Sequence, residues 1–191
     1  MSRGIIINGA SGTGKTTLAG ELAKQLGFQH IDLDDYYYHW DTDIPFSSFP
    51  SQDEVRERVM NDIAQGGYFV MSGTIGGILW DLVNPLFDLA VLLTVPNKIR
   101  MERLEAREYT RFGERIRKGG DMYENSQKFL KESKLYDTGV HPAVPVTRER
   151  HEKWAAEIPC PVLRLDGTKP ILENVEYIAE QYKLLNLTSP H

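Results

Sequence analysis

Three groups of residues carry types and spacings that could do chemistry. The first is Gly9-Ala10-Ser11-Gly12-Thr13-Gly14-Lys15-Thr16, which fits the spacing G-x-x-x-x-G-K-[ST]. Glycines at these places let the backbone fold around an anion with its N–H groups pointing inward. Lys15 then brings a point charge to the β and γ phosphates, and the Thr16 hydroxyl suits Mg²⁺. Gly9 through Thr16, with Thr17 behind them, are therefore the expected binding residues for ATP and its Mg²⁺. The second group is Asp32, Asp34 and Asp35, directly after an apolar stretch. Phosphoryl transfer needs carboxylates that hold Mg²⁺ and orient or deprotonate an acceptor hydroxyl. Strand alternation would put Asp32 and Asp34 on one side and Asp35 on the other. A solvated acidic loop is the competing reading. The third group is Arg103, Arg107, Arg111 and Arg115, which recur every four residues and share one helix side if the helix continues. Their guanidinium forks suit phosphate oxygens. Glu102, Glu105, Glu108 and Glu114 are interleaved with them, as on any solvated helix face.

These groups need a scaffold, and the pattern supplies one by alternating strand and helix. Ile5-Ile6-Ile7 reads as a strand buried on both faces. A helix from Lys15 to about Leu26 follows the glycine loop, and Gly27 ends it. Further strands are expected over about Phe28–Leu33, Tyr68–Met71, Leu89–Val95 and Pro161–Leu165. Helices are expected over Gln52–Gln65, behind a Ser51/Glu54 capping box, over Asn97–Tyr109, and over Ile171–Leu185. Alternation with continuous apolar strands predicts an α/β fold, a five-stranded parallel sheet covered by helices on both faces. The chain reads as one domain over 1–191. An insert at about 109–157, polar from Phe112 to Glu157, adds helices near Asp121–Tyr136 and Thr147–Glu157 and reads as a lid or helical hairpin.

Composition narrows the partners. Lys and Arg number 22 against 27 Asp and Glu, a formal net charge of −5, which argues against a general nucleic-acid binder. No apolar run approaches the ~20 residues that cross a bilayer, and the N-terminus has no signal-peptide layout. The single cysteine, Cys160, excludes an intrachain disulfide and is consistent with a cytoplasmic location. The five histidines and this cysteine show no metal-site spacing. Oligomeric state has no signature.

The other phosphate-loop classes lack their marks. Neither Tyr68–Met71 nor Leu89–Val95 ends in Asp-Glu, no Asp has Gly three positions later, and Asn97-Lys98-Ile99-Arg100 fails the last place of N-K-x-D. The chain resembles instead the P-loop small-molecule kinases, which span shikimate, gluconate, uridine and nucleoside-monophosphate kinases. Asp32-Leu33-Asp34 is similar to the D-x-D of shikimate kinases, and Asp34-Asp35-Tyr36-Tyr37 to the D-D-F-Y of uridine kinases. Both alignments make Asp34 the acceptor-facing base and leave Asp32 on the Mg²⁺ side. Ser72-Gly73-Thr74-Ile75-Gly76-Gly77 resembles the glycine cluster after strand three in shikimate kinases, which implies acceptor contacts at Gly73, Thr74 and Gly76. Monophosphate kinases have Asp-Gly where this chain has Ser72-Gly73. With Thr74, Trp80 and Asp81, the arrangement resembles bacterial kinase-like proteins labelled adenylate- or uridine-kinase-like.

The resemblance further implies that Arg103 lies near adenine, Arg107 near the phosphates, and Arg111 and Arg115 where arginine fingers stabilise the transition state. It makes Leu165–Pro170 the adenine loop, with Gly167 and Pro170 in contact; an ordinary strand-to-helix turn is the alternative. Tyr36-Tyr37-Tyr38-His39-Trp40 reads either as a platform for a ring, with Tyr37 touching the acceptor, or as an apolar cluster under a loop. Asp121–Glu124 is placed to close on the acceptor. The expected activity is transfer of the γ-phosphoryl group of ATP to a small-molecule acceptor. An ATP-binding regulatory module is the alternative.

Overall fold

The protein is described by a computed structural model covering residues 3–39, 48–139, 144 and 146–188. Trp40, the last of the aromatic run, lies outside the described residues. The chain runs β1 (Arg3–Gly9), α1 (Lys15–Leu26), β2 (Gln29–Asp32), α2 (Asp34–Tyr37), α3 (Gln52–Gly66), β3 (Tyr68–Ser72), α4 (Gly77–Val83), β4 (Phe87–Thr94), α5 (Asn97–Phe112), α6 (Tyr123–Lys134), α7 (Arg148–Glu157), β5 (Val162–Asp166) and α8 (Ile171–Thr188). All four strand pairings are parallel, in the order β2-β3-β1-β4-β5.

The continuous apolar runs follow from this topology, because a central parallel strand buries both faces. Ile5 and Ile7 of β1 face α1 and α8, packing with Leu18, Leu22, Val175 and Ile178. Ile6 faces the other way, with Val59 of α3, Leu79 of α4 and Trp154 of α7. The expected three-layer α/β architecture is the one observed. Ser51 caps α3 through the Glu54 N–H at 3.2 Å, and Thr147 caps α7 through the Arg150 N–H at 3.3 Å.

The structure adds two short helices that the residue pattern did not announce, α2 and α4. Both follow a strand after a short loop and have no room for a full amphipathic repeat. It also divides the stretch expected to be an insert. Trp154, Ala155 and Ile158 belong to the sheet's hydrophobic core. The α7 segment is therefore built into the main body, while α6 packs on α5 through the Ser126–Glu108 hydrogen bond and the Arg107–Phe129 contact. No described helix is long and apolar enough to cross a membrane.

Candidate active site

The site forms at the carboxyl ends of β1, β2 and β3, where an open α/β sheet leaves a crevice. The phosphate loop leaves β1 at Gly9 and enters α1 at Lys15. Gly12 has φ +83°, and a Cβ there would stand 2.8 Å from the Arg100 carbonyl oxygen. Only glycine fits both the conformation and the space. The Thr13 hydroxyl donates to the Ala10 carbonyl at 2.8 Å and closes the turn. A cleft of ≈ 350 Å³ opens along this loop, lined by Gly14, Lys15, Thr16 and Thr17 on one wall and by Arg103 and Arg107 on the other. Its size and its cations suit a nucleotide.

Across the cleft, Arg103 donates from both terminal nitrogens to the Gly167 carbonyl at 3.2 Å, and from one of them to the Gly12 carbonyl at 3.4 Å. Gly167 in turn lies so close to the phosphate loop that a Cβ would stand 2.8 Å from the Thr13 carbonyl oxygen. The loop after β5 is thus locked to the nucleotide cleft. It is also a capped turn, since Asp166 accepts from the Thr168 N–H at 2.8 Å. The ordinary strand-to-helix turn is thus present, and it stands against the cleft. Gly167, Lys169 and Ile171 line the cleft, while Pro170 between them leads into α8.

Lys15 sits half-buried, and burial lowers its pKa; Asp34 and then Asp32 oppose that shift, and Arg107 adds to it. Burial raises the pKa of Asp34, Asp32 pushes it further up, and Lys15, Arg107 and Arg111 pull it down. Asp34 thus lies within electrostatic reach of the phosphate-loop lysine and of Arg107 and Arg111 of α5. The pairing of Asp32 and Asp34 is not produced by strand alternation. β2 ends at Asp32, and Asp34 opens the single turn α2, where its N–H donates to Asp32 Oδ1 at 3.3 Å. Asp35 turns away, toward Asp62's neighbour Arg58, which donates to the Asp35 carbonyl at 3.3 Å.

The arginine ladder holds for three rungs and then breaks. The α5 helix ends at Phe112, and Gly113, at φ +55°, turns the chain. Arg115 therefore leaves the shared face and forms a bidentate pair with Asp121, Nη2 to Oδ2 at 2.7 Å. Arg107 packs its guanidinium 5.7 Å from the Phe129 ring of α6. Burial, then Arg111, lower its pKa.

On the acceptor side, the aromatic run separates residue by residue. Tyr36 is core, with its hydroxyl on Asp62 at 2.5 Å. Tyr37 braces the glycine loop: its hydroxyl accepts from the Gly76 N–H at 2.8 Å and donates to the Thr74 carbonyl at 3.3 Å. Tyr38 packs on Phe49, ring centroids 5.6 Å apart. Gly73 is held by its N–H on the Ile7 carbonyl at 3.2 Å. The Thr74 hydroxyl lies 3.3 Å from both Asn8 Oδ1 and His151 Nε2. His151 Nδ1 lies 3.0 Å from the Tyr136 hydroxyl. Burial, then Lys15 and Arg100, push the His151 pKa down to about 4.

Asn8, Arg100, Tyr136 and His151 were not legible as site residues. Arg100 is 1% exposed, donates to the Ser11 carbonyl of the phosphate loop at 3.0 Å, and pairs with Asp137 at 3.5 Å. Its four-residue spacing to Arg103 is absent, so the ladder did not include it. His151 is a lone histidine in a polar helix, which carries no signal of its own. Among the described residues no group of three His, Cys, Asp or Glu could hold a metal by itself. Thr16 lines the cleft and Asp32 acts on Lys15 beside it; hydroxyl and carboxylate oxygens are the donor types Mg²⁺ prefers.

Residues 5–128 match the family described as AAA domain. The chain is 35% identical over 184 residues to the Bacillus subtilis protein named Uncharacterized protein YqaC, covering 94% of this chain and 97% of that one. It is 32% identical over 111 residues to the adenylate kinase isoenzyme 6 homolog of Dictyostelium discoideum, covering 55% of this chain and 61% of that one. Shikimate kinase from Bacteroides thetaiotaomicron has the same fold, with a TM-score of 0.52 at 18% identity over 95% of this chain and 98% of that one.

Proposed function

The chain belongs to the P-loop family described as AAA domain and shares the fold of the small-molecule kinases, and on that premise we propose that it transfers the γ-phosphoryl group of ATP to a small hydroxyl-bearing acceptor. The observation that carries this reading is that Lys15, on the wall of the nucleotide cleft, lies near enough to Asp32 and Asp34 for their charges to act on it, as its own acts on Asp34. A phosphate loop alone binds; a loop whose lysine faces two carboxylates can also transfer.

The roles follow from the positions. Loop amides and Lys15 hold the phosphates, and Arg103, with the Gly167 loop, closes the far wall of the cleft. Mg²⁺, held by the Thr16 hydroxyl and Asp32, would supply neutralising charge on the phosphates. Asp34 orients the acceptor hydroxyl and takes its proton, a role helped by the burial that raises its pKa. The acceptor oxygen bonds to the γ-phosphorus, the bond to the β–γ bridging oxygen breaks, and ADP leaves. Arg107 and Arg111 lie where charge develops. Arg115 joins them only if its pair with Asp121 opens, so we assign it to closure of Gly113–Lys134 over the nucleotide. Gly73, Thr74, Gly76 and Tyr37 form the acceptor wall. The cleft takes ATP in the cytoplasm, within one kinase domain.

The test is Asp34→Asn assayed with MgATP. Nucleotide binding is retained, while acceptor phosphorylation falls by on the order of 10²-fold or more. Undiminished turnover overturns the assignment of Asp34. Tight ATP binding with no acceptor-stimulated turnover in the unmodified protein would favour a nucleotide-dependent regulatory module, for which the Ser72-Gly73 pair in place of an acid is the supporting feature.

A further inference from the structure

The acceptor side of the site is poor in cations. From Gln25 to Asn97 the only lysines or arginines are Arg56 and Arg58. This stretch supplies β2, α2, α3, β3, α4 and β4, hence Asp34, Tyr37, Gly73, Thr74 and Gly76. Arg58 is engaged elsewhere: it pairs with Glu54 at 3.8 Å, donates to the Asp35 carbonyl, and lies 5.4 Å over the Tyr36 ring. Arg56 is about 100° around α3 from core-facing Val55, on the flank opposite Glu54, Arg58 and Asp62, which meet α2. Three carboxylates, Asp32, Asp34 and Asp35, stand at the end of β2.

The groups that converge on Thr74 are uncharged, and their directions can be assigned. The Gly9 N–H donates to Asn8 Oδ1 at 2.8 Å, so that atom is the amide oxygen. The Thr74 hydroxyl donates to the same oxygen, which leaves its own oxygen to accept from His151 Nε2. His151 Nδ1 then accepts from the Tyr136 hydroxyl. This order requires the neutral Nε2–H imidazole, in keeping with a pKa pushed down to about 4. The wall beside Thr74 thus presents a neutral ring where a cation could have stood. The cations within reach of this wall are committed: Arg100, which acts on His151, is bonded to the Ser11 carbonyl and Asp137, and Lys15, Arg107 and Arg111 act on Asp34, with Lys15 and Arg107 also lining the nucleotide cleft.

We propose that the acceptor carries no phosphate or carboxylate: it is a neutral hydroxyl compound, held by hydrogen bonds at Thr74 and Asp34. An anionic acceptor is normally gripped by arginine or lysine. Here it would face the carboxylates of Asp32 and Asp34 and compete for the cations that the γ-phosphoryl group needs. The inference rests on the phosphotransfer reading and narrows it.

The experiment pairs each neutral compound with its anionic counterpart, using the full chain and MgATP. Nucleosides are set against their monophosphates, ribose against ribose 5-phosphate, and glucose against gluconate. ADP release and the phosphorus spectrum of the product report transfer; the melting temperature with MgADP present reports binding. Neutral members should be phosphorylated with kcat/KM about tenfold or more above their partners. Preference for the anionic members in turnover or binding overturns the class. Binding of neutral members without turnover supports the class and overturns phosphotransfer instead. Silence of both series in both measurements counts against the class.

Discussion

Lys15 and Asp34 set each other's behaviour. Burial disfavours the charge on each, and each partly restores the charge of the other. Removing the amine in Lys15→Met should therefore weaken ATP binding and also raise the Asp34 pKa further; calorimetric titration with MgATP checks the first effect, with a loss of about tenfold or more expected. His151 gives a separate prediction. Its pKa of about 4 in the fold lies below the ordinary value of 6.5. Between these values the unfolded chain binds a proton that the folded chain does not. Stability must therefore fall as pH drops from about 6.5 toward 4, by up to about 3 kcal/mol from this one group. Urea unfolding at pH 7 and pH 4.5 measures the loss, and His151→Gln should show a smaller one. An equal loss in both proteins would mean that other groups carry the acid sensitivity.

At the scale of elements, α5 is the part that ties the site together. Arg100 reaches the Ser11 carbonyl in front and Asp137 behind, and it lies 4.7 Å over the Tyr136 ring. The phosphate loop is thus fastened to the segment that follows α6. Arg100→Met keeps much of the volume but leaves the Ser11 carbonyl without its donor. Asp137 keeps Arg148 at 2.6 Å, so the loss is smaller than for a fully orphaned buried ion. A destabilisation of about 2 kcal/mol is expected in denaturant unfolding, with weaker MgATP binding. Gly12→Ala attacks the same joint from the loop side, because its Cβ would collide with the Arg100 carbonyl at a positive φ. It should abolish nucleotide binding while the circular dichroism of the helices persists.

For the whole molecule, nucleotide binding bridges the phosphate loop, the Gly167 loop and α5, which come from distant parts of the chain. A ligand that touches only the folded arrangement stabilises it by mass action. MgATP at a hundred times its dissociation constant should add about 2.7 kcal/mol, a rise of several degrees in Tm for a chain of this size. Hydrogen exchange should slow in Gly113–Lys134 if that segment closes. Slowing confined to the phosphate loop would reject the lid. Magnesium removal by chelation should abolish most of the thermal gain.

Gly9–Thr16 determined its own reading, because a phosphate cradle is a local object made of consecutive backbone groups and one helix end. The strand–helix alternation was legible for a similar reason: strands buried on both faces must be apolar throughout. Capping by Ser51 also needs only three residues of context. What lay out of reach depends on groups brought together across the fold. Strand alternation put Asp32 and Asp34 on one side, but a helical turn does that work. The even spacing of arginines put four on one side if the helix continued, but a glycine turn ends the helix and commits Arg115 to Asp121. The bond from His151 to Thr74 spans 77 residues of sequence, and that from Arg100 to Ser11 spans 89. Neither residue has a pattern around it that marks its partner. Periodicity records which face of an element is buried; only tertiary packing decides which polar groups on those faces meet.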